Sequence, residues 1–328
     1  MNFAMNRKYF MIIGFTGDVM LGRLVNERID STSYAYPWGN TLPLMKTHDL
    51  NIINLETTLT TSHHKVPKVF NFKADPDRVK CLTEAKIDTV NLANNHILDF
   101  NVEGLTETIR MLNEAGIRHT GAGKNIIDAK SPVIIVREGI RIGIIGMTDN
   151  EPGWKASNEK PGINFLEVGN MSEAKPQIQN IRNNVDVLIL TIHWGPNKRE
   201  FPNAPFIHFA HELIESGVDI IHGHSAHVFQ GIEVYKDKLI MYDTGDFIDD
   251  YAVDNYLRND YSFLYEVELK KERLRKLTLI PVVISNMQVN KVVKKDFQNI
   301  VSKFKFRTAI FKTVFEEKEE SLEVVVNS

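Results

Sequence analysis

The sequence predicts an α/β fold in which two mixed β-sheets pack face to face between helices. Short apolar segments alternate with amphipathic ones along most of the chain, which is typical of buried strands separated by helices. Other apolar segments follow one another with only a few polar residues between them, which is typical of hairpins. Together these segments give more strands than one open sheet holds comfortably, so we expect a second sheet.

Seven apolar segments have the length of a single strand. Most are rich in isoleucine and valine, as buried strands are. They lie at Tyr9–Phe15, Leu50–Leu55, Ile87–Ala93, Val133–Val136, Ile140–Met147, Val185–Ile192 and Val218–Ile221. We take the first as a strand because it is too short to cross a membrane and polar residues follow it directly.

Two amphipathic segments between these strands are predicted to be helices. Each carries apolar residues at helical spacing and ends before a glycine that suits a helix C-terminus. They are Val102–Ala115, followed by Gly116, and Phe206–Ser216, followed by Gly217.

Hairpins are predicted where strands are joined by short polar turns. The turns are Glu138–Gly139 and Lys236–Lys238, and further β-structure is expected at Phe263–Leu269 and Arg275–Val283.

The composition is that of a globular protein, with 43% hydrophobic and 25% charged residues among 328. A formal net charge of −3 gives no reason to expect nucleic acid as a partner. Cys81 is the only cysteine, which excludes an intrachain disulfide and any cysteine-based metal cluster. We predict a main domain over residues 9–285 and a charged extension over 286–328. The chain lacks the roughly 20 consecutive apolar residues of a membrane span, so we expect a cytoplasmic protein.

Polar residues stand at the carboxyl ends of five predicted strands, where ligands bind in α/β sheets. Each residue alone has an ordinary explanation as a turn residue, a helix cap or a packed histidine. Their combination, with three histidines in the six residues His222–His227, predicts a metal centre. Carboxylate, amide and imidazole ligands together suit zinc, manganese or iron better than calcium. The residues are Asp18, Glu56, Asn94, Asn95, His96, Asp99, His193, His222, His224 and His227.

At these residues the sequence resembles the CapA family, named for poly-γ-glutamate capsule synthesis, which is itself similar to calcineurin-like metallophosphatases. The resemblance runs in family order over roughly residues 12–285 and implies a four-layer αββα sandwich. The segments that carry it are Gly17–Arg23, Asn54–Thr60, Ala93–Asp99, His193–Gly195, Gly223–His227 and Ile232–Tyr242 with Gly245–Phe247.

The resemblance also implies a site with two divalent metal ions, manganese, iron or zinc. Asp18 and His227 would hold one ion, and Glu56 would bridge to the other. The second ion would be held by Asn95, His193 and His224.

Three further residues take catalytic roles by the same resemblance. His96 would act on the leaving group and Asp99 would orient its ring. Arg23 would bind a phosphate or carboxylate oxygen.

The sequence departs from ordinary metallophosphatases at its metal motifs. Met20 stands where they carry a histidine ligand, which predicts a weakened first metal site. Glu56 replaces an aspartate, and an extra residue separates His224 from His227. Asp246 stands where many relatives have asparagine and adds a carboxylate near the site. These changes favour the CapA-like branch over an ordinary phosphatase.

Three functions remain open from the sequence. The first is a hydrolase of phosphate esters, in which a metal-bound hydroxide attacks phosphorus and His96 is the general acid. The second is an accessory protein of capsule synthesis that binds an anionic polymer such as poly-γ-glutamate. The third is a metal-independent acid/base enzyme on a peptide-like substrate, with His96 and Glu56 as the reacting groups.

Overall fold

The strands of the computed structural model, which describes residues 10–292 and 294–326, form two large mixed sheets and two short ribbons. In chain order the strands are β1 (Met11–Val19), β2 (Leu50–Leu55), β3 (Thr58–Leu59), β4 (Lys73–Ala74), β5 (Thr89–Asn91), β6 (Arg118–Thr120), β7 (Ala122–Gly123), β8 (Val133–Arg137), β9 (Ile140–Thr148), β10 (Gly162–Ile163), β11 (Val187–His193), β12 (Ile220–His224), β13 (Ile232–Tyr235), β14 (Lys238–Met241), β15 (Asp246–Ile248), β16 (Tyr261–Lys270), β17 (Arg273–Ser285), β18 (Gln288–Lys291), β19 (Phe315–Glu317) and β20 (Leu322–Val325).

The helices connect the strands and cover the sheets. They are α1 (Arg23–Asp30), α2 (Leu42–Met45), α3 (Val79–Glu84), α4 (Asn101–Glu114), α5 (Ile126–Ala129), α6 (Met171–Arg182), α7 (Ala204–Glu215) and α8 (Lys294–Thr308). None of the helices in the described part of the chain has both the length and the apolar composition needed to cross a bilayer.

The larger sheet has ten strands in the order β19-β20-β17-β16-β1-β2-β5-β6, with β15 paired to β1 and β18 paired to β17. Its parallel part consists of β1, β2, β5 and β6, and β15 also runs parallel to β1. The smaller sheet has six strands in the order β13-β14-β12-β11-β9-β8, and its central four are parallel. In both sheets the parallel strands carry the polar residues at their carboxyl ends.

One core lies between the two sheets, because alternate residues of each strand point inward. From β1 it takes Met11, Ile13 and Phe15, and from β11 it takes Val187 and Ile189. A second core covers the outer face of the ten-stranded sheet with α1, α3 and α4. A third covers the outer face of the six-stranded sheet with α6 and α7. The predicted αββα sandwich of two mixed sheets is therefore confirmed.

The predicted elements are present, with boundaries that shift by a few residues. The helices predicted at 102–115 and 206–216 are Asn101–Glu114 and Ala204–Glu215, and both predicted hairpin turns join strands. The first strand was predicted to end at Phe15, but it continues to Val19 because residues 18 and 19 pair with both β2 and β15. Tyr9, the predicted start of that strand, lies outside the described residues.

Residues beyond 285 add strands and a helix to the sandwich. β18 and β20 both pair with β17. Helix α8 inserts Phe297, Ile300, Val301 and Phe304 into the core between the sheets. The domain boundary drawn at residue 285 stays a prediction.

Candidate metal centre

The carboxyl ends of four parallel strands, two from each sheet, meet at one edge of the sandwich. Asp18 lies near the end of β1, and Glu56 directly follows β2. His193 and His224 are the last residues of β11 and β12 and face each other in register. The position of each side chain is thus fixed by a strand rather than by a flexible loop, which favours a precisely held site.

Three buried side chains converge in the first of two clusters with metal-ligand spacing. Asp18, His193 and His224 place one ligand atom each within 4.8 Å of one another. Oδ1 of Asp18 lies 3.7 Å from Nδ1 of each histidine.

The second cluster contains Asp18, Glu56, His227 and Asp246, again with one ligand atom each within 4.8 Å. Nδ1 of His227 lies 3.5 Å from Oδ2 of Asp18 and 2.8 Å from Oδ1 of Asp246. Asp18 is therefore common to both clusters. Asp246 adds a carboxylate to the second cluster. The sequence has Met20 at the position where a histidine ligand is missing.

Met20 is buried, and its side chain contacts a residue two positions further along the chain. Its sulfur accepts a hydrogen bond from the backbone N–H of Gly22 at 3.1 Å, and its side chain packs in the core beneath α1. The residue thus has a structural role in the turn that leads into α1.

Glu56 belongs to the second cluster and also faces His193 of the first cluster and the predicted acid His96. Its Oε1 is 3.8 Å from Nε2 of His193 and 3.7 Å from Nε2 of His96. The side chain is fully buried, and neither of its oxygens has a hydrogen-bond partner among the described residues.

Several buried atoms of the site have no hydrogen-bond partner among the residues that the structure describes. Leaving such atoms unsatisfied costs roughly 1–3 kcal/mol each, and more for charged groups. Oxygen and imidazole nitrogen are the ligand types that divalent transition metals accept, so the residues fit a two-metal centre. The atoms are Oδ2 of Asp18, both carboxylate oxygens of Glu56, Oδ1 of Asn95, Nε2 of His193 and Oδ2 of Asp246.

The titration behaviour of the site reflects its burial and its crowded charges. Burial raises the pKa of Glu56 well above its usual value, and the neighbouring Asp18 carboxylate raises it further. Burial acts the same way on Asp18, but His193, His224 and His227 together bring the Asp18 pKa below its usual value. Burial lowers the pKa of His224 well below the usual value, which favours the neutral imidazole that metals bind.

The side chains behind His224 fix the orientation of its ring. Its Nε2 lies 3.0 Å from the hydroxyl of Thr191, so Nδ1 is the nitrogen that faces Asp18. Thr191 also contacts Nδ1 of His222 at 3.1 Å, and Nε2 of His222 lies 2.8 Å from the carbonyl of Thr16. Both nitrogens of His222 are thus occupied, and burial lowers its pKa to about 4. His222 therefore has a structural role behind the metal clusters.

His96 and Asp99 form a buried pair beside the clusters. Nδ1 of His96 lies 2.5 Å from Oδ2 of Asp99, and the ring stacks on Phe72 with centroids 3.7 Å apart. Burial lowers the pKa of His96 to about 4 although Asp99 opposes this, so the resting ring is neutral. With Nδ1 committed to Asp99, Nε2 faces Glu56 and is free to exchange a proton.

Lys68 is a site residue that the sequence analysis missed. Its Nζ donates to Oδ1 of Asp99 at 3.0 Å and to the backbone carbonyl of Asn95, and it lies 4.8 Å from the centre of the Trp154 ring. Nothing in the local sequence marks this lysine, because the contact depends on the path of the whole 61–72 loop.

Arg23 lies at the entrance to the candidate metal centre, and its side chain is 36% exposed. Its Nε is 3.2 Å from Oδ2 of Asp250, and its guanidinium lies near the faces of Phe72 and Tyr251.

The backbone of Arg23 has a φ of 54°, and that of His227 a φ of 59°. Left-handed conformations are strained for such residues by about 1–3 kcal/mol and cluster at functional sites.

Asn54 was also missed, although the sequence carried a signal. Its Nδ2 donates to Oδ1 of Asp18 at 2.7 Å and lies 3.3 Å from Nδ1 of His193. A fully buried amide inside the apolar segment Leu50–Leu55 calls for buried partners, and it could have been singled out on that ground.

Comparison with known proteins gives a family and several relatives. Residues 12–251 match the model of the bacterial capsule synthesis protein family PGA_cap. A "probable polyglutamine synthesis accessory protein" of Mycobacterium tuberculosis is 31% identical over 299 residues, covering 86% of this chain and 79% of the relative. The "capsule biosynthesis protein CapA" of Bacillus anthracis is 28% identical over 320 residues, covering 95% of this chain and 76% of the relative.

Among solved structures, TT1561 of Thermus thermophilus aligns with a TM-score of 0.45 and 11% identity, over 80% of this chain and 96% of that one.

Proposed function

The chain belongs to the bacterial capsule synthesis protein family PGA_cap, and on that premise we propose that it is a metal-dependent hydrolase of a phosphoester. The observation that carries the proposal is the His96–Asp99 pair, which directs a free imidazole nitrogen toward a buried cluster of unpartnered carboxylate oxygens. A purely structural site has no need of a proton-exchanging group in that position.

We assign the metal ligands from the two clusters. Asp18, His193 and His224 would hold one ion, and Asp18, Glu56, His227 and Asp246 the other. Asn95 stays a candidate ligand on the strength of its buried, unpartnered Oδ1. Two divalent ions would supply Lewis-acid activation of water and charge neutralisation at a phosphoryl group. Asp18 is common to both clusters and would therefore help to hold both ions, a role that the sequence analysis gave to Glu56.

The proton transfers are assigned to His96. Its Nε2 faces the cluster as a neutral base, takes a proton from the attacking water, and gives that proton to the leaving oxygen as the general acid. Asp99 stabilises the imidazolium form and holds the ring, and Phe72 stacks against the ring face. The ring therefore has a fixed direction before substrate arrives.

Binding of the substrate anion is assigned to Arg23. Its guanidinium is tied to Asp250 through Nε, which leaves donors on the other two nitrogens for an oxyanion. The aromatic faces around it hold the group in position without neutralising its charge. A phosphate or carboxylate at the entrance is the natural partner for such a group.

The first experiment is metal content by mass spectrometry on protein purified without an affinity tag. The proposal expects two transition-metal equivalents per chain, both lost in the double variant Asp18→Asn/His224→Ala. A folded protein that binds no metal even after reconstitution contradicts it.

The second experiment separates catalysis from metal binding. His96→Ala is expected to lower phosphoester turnover by about 10²–10⁴-fold while keeping the metal content. The control is His64→Ala, since His64 lies on the nearby loop but is 79% exposed. Equal loss of turnover and metal in His96→Ala contradicts its role, and full turnover after exhaustive chelation supports a metal-independent enzyme instead.

A second candidate function is an accessory role in capsule polymer synthesis, in which the site binds an anionic polymer. The names of the relatives and the exposed cation Arg23 at the entrance favour it. Binding of a glutamate oligomer, measured by calorimetry with and without chelator, tests this role. Binding without turnover of any phosphoester supports it over the hydrolase.

A further inference from the structure

A cavity of about 390 Å³ lies next to the proposed metal centre, and of its wall only Asp250, which pairs with Arg23, enters the mechanism above. Its polar wall includes Asp249, Asp250 and Tyr251, and its apolar wall includes Leu24, Val253 and Ile284. Tyr251 joins the two sites, because its ring also lies edge-on to the ring of His227 with centroids 5.2 Å apart.

The carboxylates of this cavity are not balanced by the cations around them. Arg23 pairs with Asp250, and Arg258 binds Asp260 through two hydrogen bonds of 2.8 and 2.6 Å. Among the side chains that the structure describes, no lysine, arginine or histidine forms an ion pair with Asp249. One acidic side chain of the cavity wall therefore lacks a basic partner.

The same side chains also have unpartnered atoms. Oδ2 of Asp249, Oδ1 of Asp250 and the hydroxyl of Tyr251 are buried and make no hydrogen bond within the described residues. Asp249 is only 5% exposed, and the side chain of Asp250 is fully buried. A hydrogen-bond donor that carries positive charge would satisfy these two buried, unpartnered carboxylate oxygens.

We propose that this cavity binds a primary alkylammonium group. The ammonium would donate hydrogen bonds to Asp249 and Asp250, and its carbon chain would lie along Leu24, Val253 and Ile284. An ammonium fits better than a bare metal ion, because the described acidic and histidine residues converge at metal-ligand spacing only in the two clusters of the metal centre. The volume and the apolar wall also suit an organic cation.

Because the cavity lies beside His227, we extend the proposal to the substrate of the metal centre. A molecule anchored here by its amino group would lie close to His227, with the ring of Tyr251 between the two sites. A polymer of γ-linked glutamate carries such a group only at its amino terminus, so the cavity would select chain ends. This extension rests on the second candidate function, the accessory role in capsule polymer synthesis, whereas ammonium binding itself does not.

The test is ligand-observed NMR with n-butylammonium chloride, using n-butanol as the uncharged control. We expect the ammonium to bind the wild-type protein at least tenfold more tightly than the Asp249→Asn variant, and n-butanol not to bind. Asp128→Asn serves as the matched control, because its carboxylate is 41% exposed and outside the cavity. Equal ammonium binding by wild type and Asp249→Asn overturns the proposal.

Two further arms keep the test decisive. Val253→Arg places a cation on a residue of the wall that is 48% exposed, and it should abolish ammonium binding even if Asp249→Asn does not fold. Displacement of n-butylammonium by micromolar calcium would overturn the proposal in favour of a metal site.

The last arm distinguishes the source of the ammonium. A γ-glutamyl oligomer with a free amino terminus is expected to compete with n-butylammonium, and its N-acetylated form is not. Competition by both forms overturns the chain-end extension. Failure to hydrolyse any phosphoester would contradict the proposed function and leave ammonium binding standing.

Discussion

Nδ1 of His96 lies 2.5 Å from Oδ2 of Asp99, and this contact decides which nitrogen of the imidazole faces the carboxylate cluster. The same Asp99 oxygen accepts the backbone N–H of Phe72 at 2.7 Å, while the other oxygen accepts from Lys68 at 3.0 Å. The aspartate therefore joins the proposed acid to the loop that covers it.

Replacing Lys68 by methionine should lower turnover without removing metal. The variant loses the cation that binds Asp99 and the Asn95 carbonyl, so the His96–Asp99 pair is held less firmly. Changes of this kind typically cost about 10–100-fold in activity. Steady-state kinetics and metal analysis check it, with the exposed Lys65→Met of the same loop as the control. Wild-type kinetics in Lys68→Met would contradict the prediction.

Replacing Glu56 by glutamine should affect the stability of the folded protein differently with and without metal. In chelator the variant should be at least as stable as wild type, because the buried carboxylate has two unpartnered oxygens. With metal at about 100 times its Kd, the wild type should gain about 2.7 kcal/mol, and the variant should gain less. Thermal unfolding with manganese or EDTA measures both. A variant that is less stable than wild type in EDTA would count against the metal assignment of Glu56.

Stability should fall on acidification partly because of His119, outside the site. Burial lowers the pKa of His119 below its usual value, although Asp128 opposes the shift. The unfolded chain therefore binds this proton more readily, so the contribution of His119 is complete above about pH 6.5 and is lost as the pH falls below it. His119→Gln should flatten the decline in Tm between about pH 7.5 and 5. An unchanged slope, measured beside the exposed-site variant His64→Gln, would refute this.

The buried Arg307 of α8 should stabilise the fold far more than a surface arginine does. Its side chain is fully buried and lies 2.7 Å from Oε1 of Glu200, and it also donates to the carbonyls of Phe229 and Leu257. Arg307→Met should cost about 3–5 kcal/mol because Glu200 loses its partner.

Urea denaturation checks this prediction. The control is Arg275→Met, whose ion pair with Glu268 is half exposed and should be worth about 0–1 kcal/mol. Adding Glu200→Gln to Arg307→Met should restore part of the loss. Similar costs for the two arginine variants would show that α8 does not depend on this contact.

The layered fold was predictable because its signal is local and repeated. Apolar residues follow one another almost without interruption along strands such as Val187–His193, because both faces of such a strand are buried in a four-layer sandwich. The ends of these elements shifted where pairing with distant strands decided them. The extension of β1 to Val19, through pairing with β2 and β15, is an example.

The sequence by itself determined which residues meet at the edge of the sheets, because parallel strands bring their carboxyl ends together. The resemblance to the CapA family also implied the His96–Asp99 pair. Only the tertiary structure decided that Asp18 belongs to both clusters, that Asp246 joins one of them, and that Lys68 reaches Asp99. The physical reason is that these contacts depend on the register between distant strands and on the path of a long loop. Neither is encoded in the spacing of residues along the chain.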